Sequence, residues 1–123
     1  VAEIEVTGGY LLITGTRRDT RAGVVSEFLE WYRPIRVVVG DATGVDAEAR
    51  EWCVRNGVPC TVELAVGPWP AAGPARNKRL LDTLLFLAGP EPKAWVAVPD
   101  RYSRGTHHCR RLCEQHGLAG QVI

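Results

Sequence analysis

Four short segments of the chain concentrate residue types that hold anionic ligands or move protons. Thr14-Gly15-Thr16-Arg17 offers two hydroxyls and a guanidinium beside a glycine that lets backbone come close to a ligand. Gly40-Asp41-Ala42-Thr43-Gly44-Val45-Asp46 spaces two carboxylates around two glycines. Gly67 to Asn77 carries three prolines, Trp69 and Gly73, then delivers Arg76-Asn77; Pro99 to Thr106 ends in Gly105-Thr106 and runs into His107 and His108. Hydroxyls, glycines and arginines suit phosphate or ribose, carboxylates suit ribose hydroxyls or proton transfer, and imidazoles suit hydrogen-bond donation or acid–base work. His107 is thus a candidate catalytic acid or base. Each segment has a structural use as well. Gly15 fits an ordinary strand-to-helix turn, and Asp46 at a helix start contributes roughly 0.3 to 1 kcal/mol by itself. Trp69 fits packing beneath its own loop, and the histidines fit solvent-facing positions.

These segments need a scaffold, and the apolar pattern supplies one. Tyr10 to Ile13, Ile35 to Val39 and Trp95 to Val98 are near-continuous apolar runs, as expected of parallel strands covered on both faces. Pro59 to Val66 reads as a more peripheral strand and Gln121 to Ile123 as a short last one. Between them Ala22, Val25, Phe28, Leu29 and Tyr32 fall on one side of a helix stopped by Pro34, and Val45, Ala49, Trp52 and Cys53 on a second ended by Asn56-Gly57. A third helix is predicted from about Ala75 to Leu87, with Leu80, Leu81, Leu84 and Leu85 inward. A fourth is predicted from Thr106 to His116, with Cys109, Leu112, Cys113 and His116 on one stripe. Strict β-α alternation predicts a three-layer α/β sandwich with a mainly parallel sheet of about five strands. In such a sheet, ligands bind outside the carboxyl ends of the strands, which is where all four segments fall. The Gly67 to Asn77 segment reads as a lid that sets Arg76 at a helix start, against the macrodipole, where a bound anion or a carboxylate offsets the cost.

Composition narrows the partners. The 123 residues, 46% hydrophobic and 24% charged, suffice for one domain with its own core. Fifteen Lys and Arg against 14 Asp and Glu give a formal charge of +1, without the basic excess of a sequence-independent nucleic-acid binder, while small anions remain open. Thirteen of the fifteen cations are Arg, a bias that forked anion contacts or a GC-rich genome would each produce. No apolar stretch reaches the roughly 20 residues of a membrane span, and Val1-Ala2-Glu3-Ile4-Glu5 has neither a basic start nor an apolar h-region, so the expected compartment is the cytoplasm. Cys53, Cys60, Cys109 and Cys113 form no CxxC pair and read as core cysteines. Cys109, Cys113 and His116 share a helical face able to hold zinc, but that face is the one expected to be buried, so no metal is expected. Neither glycine-rich loop fits a Walker A or G-x-G-x-x-G template, and no cofactor is expected.

Taken in order, Ile13-Thr14-Gly15-Thr16-Arg17, Val39-Gly40-Asp41-Ala42-Thr43-Gly44-Val45-Asp46 with Ala49, Trp69, Ala72-Gly73-Pro74-Ala75-Arg76-Asn77 with Leu80, and Gly105-Thr106-His107-His108 resemble the SLOG superfamily. The likeness is greatest to its small YspA-like branch and covers nearly the whole chain from Tyr10. The resemblance implies a single Rossmann-like nucleotide-binding domain over residues 1–123, with a nucleoside monophosphate, ADP-ribose-like or NAD-like ligand. Gly15, Thr16 and Arg17 would hold one end of it. Gly40, Asp41, Gly44 and Asp46 would take the ribose, Trp69 beside Gly73 would stack on a base, and Arg76, Asn77, Gly105 and Thr106 would take the phosphate. Some relatives, the LOG enzymes, cleave the N-glycosidic bond of nucleoside monophosphates with a Gly-Gly-x-Gly-Thr-x-x-Glu motif. In Arg104-Gly105-Thr106-His107-His108-Cys109, Cys109 stands in place of that glutamate, so hydrolase activity is left open, with Asp41 or Asp46 as the candidate catalytic carboxylate in its stead. The superfamily also includes the single-strand-binding DprA proteins. That sets a nucleic-acid module as the alternative, with Arg17, Arg18, Arg21, Arg101, Arg104, Arg110 and Arg111 as a basic rim, although the near-neutral total disfavours it. Relatives often form homo-oligomers, for which the Leu-rich third helix is a candidate interface.

Overall fold

Alternate residues of the central strands face opposite layers, and this alternation builds the molecule. The structure, a computed structural model, describes residues 3–123; Val1 and Ala2, part of the segment on which the compartment expectation rests, lie outside the described residues. The strands are β1 (Tyr10–Gly15), β2 (Arg36–Gly40), β3 (Cys60–Glu63), β4 (Lys93–Val98) and β5 (Ala119–Val122). The helices are α1 (Val24–Tyr32), α2 (Val45–Asn56), α3 (Ala72–Ala88) and α4 (Arg104–Gln115), with a 3-10 turn at Asp19–Arg21. All pairings are parallel, in the order β3-β2-β1-β4-β5. This is an α/β Rossmann-like fold.

Leu11, Ile13, Val37, Val39, Val96 and Val98 pack under α1 and α2 against Val25, Leu29, Ala49 and Trp52. Leu12, Val38, Trp95 and Ala97 pack under α3 and α4 against Leu80, Leu84, Cys109 and Cys113. Burial on both faces explains why β1, β2 and β4 read as continuous apolar runs. The chain order reverses between β1 and β4, so their carboxyl ends form the switch point at which the sheet can hold a ligand.

Several predicted boundaries move. Helix α3 begins at Ala72, because Pro74 falls in its first turn, where a missing N–H costs nothing. Arg76 and Asn77 consequently lie in its second turn and not at its start. The expected Pro59 to Val66 strand is cut to Cys60–Glu63, and Leu64 and Val66 are exposed. Ala22 precedes α1 and is exposed; His116 caps α4 and is exposed, off the buried Cys109–Cys113 face. No helix among the described residues is long and apolar enough to cross a membrane.

Candidate functional site

Thr16, just past β1, and Asp100, just past β4, tie the two strand ends together. Thr16 N donates to the Val98 carbonyl (2.9 Å), and its hydroxyl donates to Asp100 Oδ2 (2.8 Å), which also accepts from Thr20 Oγ1 (3.0 Å). Asp100 Oδ1 accepts from Tyr102 N (2.9 Å) and from Ser103 Oγ (3.0 Å). The Tyr102 amide, then the Thr16 hydroxyl, hold the Asp100 carboxyl well below the usual carboxylate range. On the other side, Thr43 Oγ1 donates to the Arg17 carbonyl (2.6 Å) and Val45 N to the Thr16 carbonyl (3.0 Å). The loops after β1, β2 and β4 are therefore one hydrogen-bonded frame.

Glycines permit this close assembly. A Cβ on Gly15 would stand 2.5 Å from Val45 Cβ, so Gly15 is the contact at which α2 meets β1. Gly44 has φ +69° and its missing Cβ would strike the Arg17 and Arg18 backbone. Gly73 leaves room for the Trp69 ring, whereas a Cβ on Gly105 would meet nothing within 4 Å.

Above the frame lies a cavity of about 1200 Å³. Of the expected ligand residues, Gly15, Thr16 and Arg17 line it from β1, and Asp46 from the start of α2. Trp69, Gly73, Arg76 and Asn77 line it from α3 and the loop before it, and Gly105, Thr106 and His107 from α4. Gly40, Asp41 and Gly44 do not line it: Gly40 is buried beneath the wall and Asp41 is exposed outside it. The reason is electrostatic: Arg76 Nη1 bonds Asp41 Oδ1 at 2.9 Å, and the missing Cβ of Gly40 makes space for that guanidinium and for Asp46 Oδ2. Asp41 also accepts from Ala65 N (3.2 Å), so its carboxylate is engaged on both oxygens.

Asp46 is 4% exposed, has no ion-pair partner among the described residues, and accepts one backbone bond, from Ala42 N at 3.2 Å. Burial pushes its pKa up to about 6, against the opposing pull of Arg76, the Ala42 amide and Arg50. It is the one carboxylate among the lining residues.

On the opposite wall, Ser103 precedes α4 and spends its hydroxyl on Asp100 (2.8 Å from Asp100 N) rather than on a cap bond. The first amide of α4 to find a helical acceptor is His107 N, on the Ser103 carbonyl, so the amides of Gly105 and Thr106 are left free at the positive end of the helix. Asn77 Nδ2 donates to the Gly105 carbonyl (3.0 Å) and meets His108 Nδ1 at 3.1 Å, which assigns the His108 proton to Nε2. His107 Nδ1 likewise accepts from Arg110 Nε (3.2 Å). Cys109 is fully buried against the sheet and is not among the residues that line the cavity.

The expected basic rim divides. Arg17, Arg18, Arg101, Arg104 and Arg111 line the cavity, and none of them has an ion-pair partner among the described residues. Arg21 is bound to the Pro99 carbonyl (2.6 Å) and Arg110 to Glu114 (2.8 Å). Arg17 lies over the Trp69 ring (4.4 Å to the centroid) and Arg18 over Tyr102 (4.3 Å). Tyr102 lines the cavity without having been singled out in the sequence, Leu80 lines it from the stripe read there as core, and Asp100 holds the frame beneath it. The signal for Asp100 was its place two residues past a strand and three before Ser103, the spacing of a local side-chain turn.

No family model matches the chain, and no curated protein matches it. Among solved structures the chain is similar to DNA processing protein A (DprA) from Streptococcus pneumoniae, with a TM-score of 0.50 and 18% identity. The match covers 93% of this chain and 58% of that one, and a likeness at this identity is one of fold.

Proposed function

We propose that residues 1–123 make up a single SLOG-type domain, nearest its YspA-like branch, that binds a nucleotide or nucleotide derivative at the carboxyl ends of β1 and β4. The observation that carries this reading is the cavity itself: five arginines without carboxylate partners and the free amides of α4 converge on it, opposed by one buried carboxyl. Such a lining favours an anion strongly, and the apolar faces of Trp69, Pro70 and Leu80 give a planar base somewhere to lie. Phosphate goes to Gly105, Thr106 and Arg104, with Asn77 fixing the helix start; Asp46 accepts a ribose hydroxyl. Arg76 acts mainly through Asp41. The domain serves as a sensor of this ligand. Cleavage of its N-glycosidic bond would fall to Asp46 and His107, because Cys109 is out of reach and Asp41 is engaged. A thermal-shift panel of nucleoside phosphates, ADP-ribose and NAD tests the reading, since a ligand at 100 times its Kd stabilises by about 2.7 kcal/mol. No shift with any member at millimolar concentration contradicts it.

A second reading is a single-stranded nucleic-acid module. It is favoured by the exposed rings of Trp69 and Tyr102 beside the arginines at the cavity mouth, and by the name of the structurally similar protein, a DNA processing protein. Binding of an oligonucleotide that weakens steeply with salt supports it, and no binding at low salt removes it.

A further inference from the structure

The lining carries more positive charge than one phosphate can use, and it carries two exposed aromatic rings where one base needs one. Arg104 and Arg111 stand at i and i+7 on α4 with His107 between them, a polar stripe two turns long, or about 10 Å of helix, with a guanidinium at each end. A monoester at neutral pH carries a charge of about −1.5 to −2 and would leave most of the five unpaired arginines facing one another. Thr106, in the first turn of α4, is 4% exposed yet lines the cavity. Trp69, in the loop before α3, is 56% exposed and Tyr102, two residues before α4, is 63% exposed, and each ring is covered by an arginine. An exposed arginine–ring contact is weak, so the guanidinium can leave the ring for a phosphate and free the face for a base. The cavity, at about 1200 Å³, also exceeds the roughly 300 to 1000 Å³ that encloses an ordinary small ligand.

We infer that the cavity accommodates two nucleotide units of one ligand, with Trp69 and Tyr102 as two separate stacking platforms and the arginines holding the phosphates that join or end the units. This rests on the nucleotide reading above. The two units come either from a free dinucleotide or from adjacent positions of a single strand.

Affinities of four adenine probes separate the cases: AMP, a pyrophosphate-bridged diadenosine, a 5′-phosphorylated diadenosine phosphodiester, and a ten-residue single-stranded oligoadenylate. Each is titrated into wild type, Trp69→Ala and Tyr102→Ala, both positions being exposed enough for the fold to tolerate truncation. The two-unit probes are expected to bind at least about tenfold more tightly than AMP, and each substitution to weaken them by about fivefold or more. AMP, using one platform, should lose affinity in only one of the variants. A further gain with the oligonucleotide identifies a strand as the source; tightest binding of a two-unit probe identifies a free dinucleotide. AMP binding as tightly as the two-unit probes, or two-unit affinity untouched by either substitution, overturns the two-unit inference and leaves the nucleotide reading standing. Failure of all four probes to bind overturns both.

Discussion

Arg76 bonds Asp41 at 2.9 Å across the end of β2 and the second turn of α3, while Asp46 beside them keeps a buried carboxyl without a paired cation. The arginine therefore joins two layers of the fold before it meets any ligand. Truncating it leaves Asp41 partly buried without its partner and opens space next to Gly40. Arg76→Ala should lower ligand-free stability by about 1 to 3 kcal/mol, the loss being limited because Asp41 regains some water. Chemical denaturation of the two proteins checks this, and an unchanged midpoint would show that the pair holds nothing.

Asp46 titrates in the opposite sense to an ordinary surface carboxylate. Its folded pKa of about 6 lies above the value of 3.8 expected for the unfolded chain, so the folded protein binds the proton more tightly. Its contribution is fully present below pH 3.8 and is lost as pH rises through about 6. Asp46→Asn keeps an acceptor for Ala42 N and removes the charge. The variant should be more stable than wild type above pH 7, by on the order of 2 to 3 kcal/mol, and should lack the decline between pH 4 and 6. Melting temperatures measured from pH 4 to 8 test this; parallel curves for the two proteins would contradict it.

The glycines of the site separate into those that build it and one that borders open space. Gly15→Ala forces a methyl against Val45 and should destabilise by about 1 to 3 kcal/mol, since β1 and α2 cannot part without disturbing the core. Gly105→Ala meets no neighbour and lies in a helix, where alanine is favoured by up to about 1 kcal/mol. It should leave stability equal or improved while crowding the free amides at the head of α4, weakening nucleotide affinity. Denaturation and ligand titration of both variants read the contrast. Equal stability losses would remove the distinction.

Most of the layer structure was legible because burial is periodic. Leu11, Leu12 and Ile13 sit in alternate layers yet are all apolar, and that double burial marks a central parallel strand. Edges were harder. Leu64 and Val66 look like strand residues by type, but pairing ends at Glu63 and leaves them exposed. Proline misled at α3, since Pro74 reads as a break and instead occupies a first-turn position that tolerates it. In the site, residue type located the loops but not their internal partners. Nothing in the spacing of Asp41 and Asp46 shows that Arg76, more than thirty residues on, bonds the first and not the second. The tie from Asp100 to Thr16, Thr20 and Ser103 was not legible, because only the folded sheet brings that set together.

The central claim is that a nucleotide occupies the cavity at the ends of β1 and β4, and amide chemical-shift mapping with 15N-labelled protein and added ADP tests it most directly. The account expects shifts confined to residues 14–18, 42–46, 69–80 and 101–111, growing with ligand to saturation, with β3, β5 and the carboxyl end of α1 unchanged. Shifts centred elsewhere, or none at millimolar ADP, would contradict it.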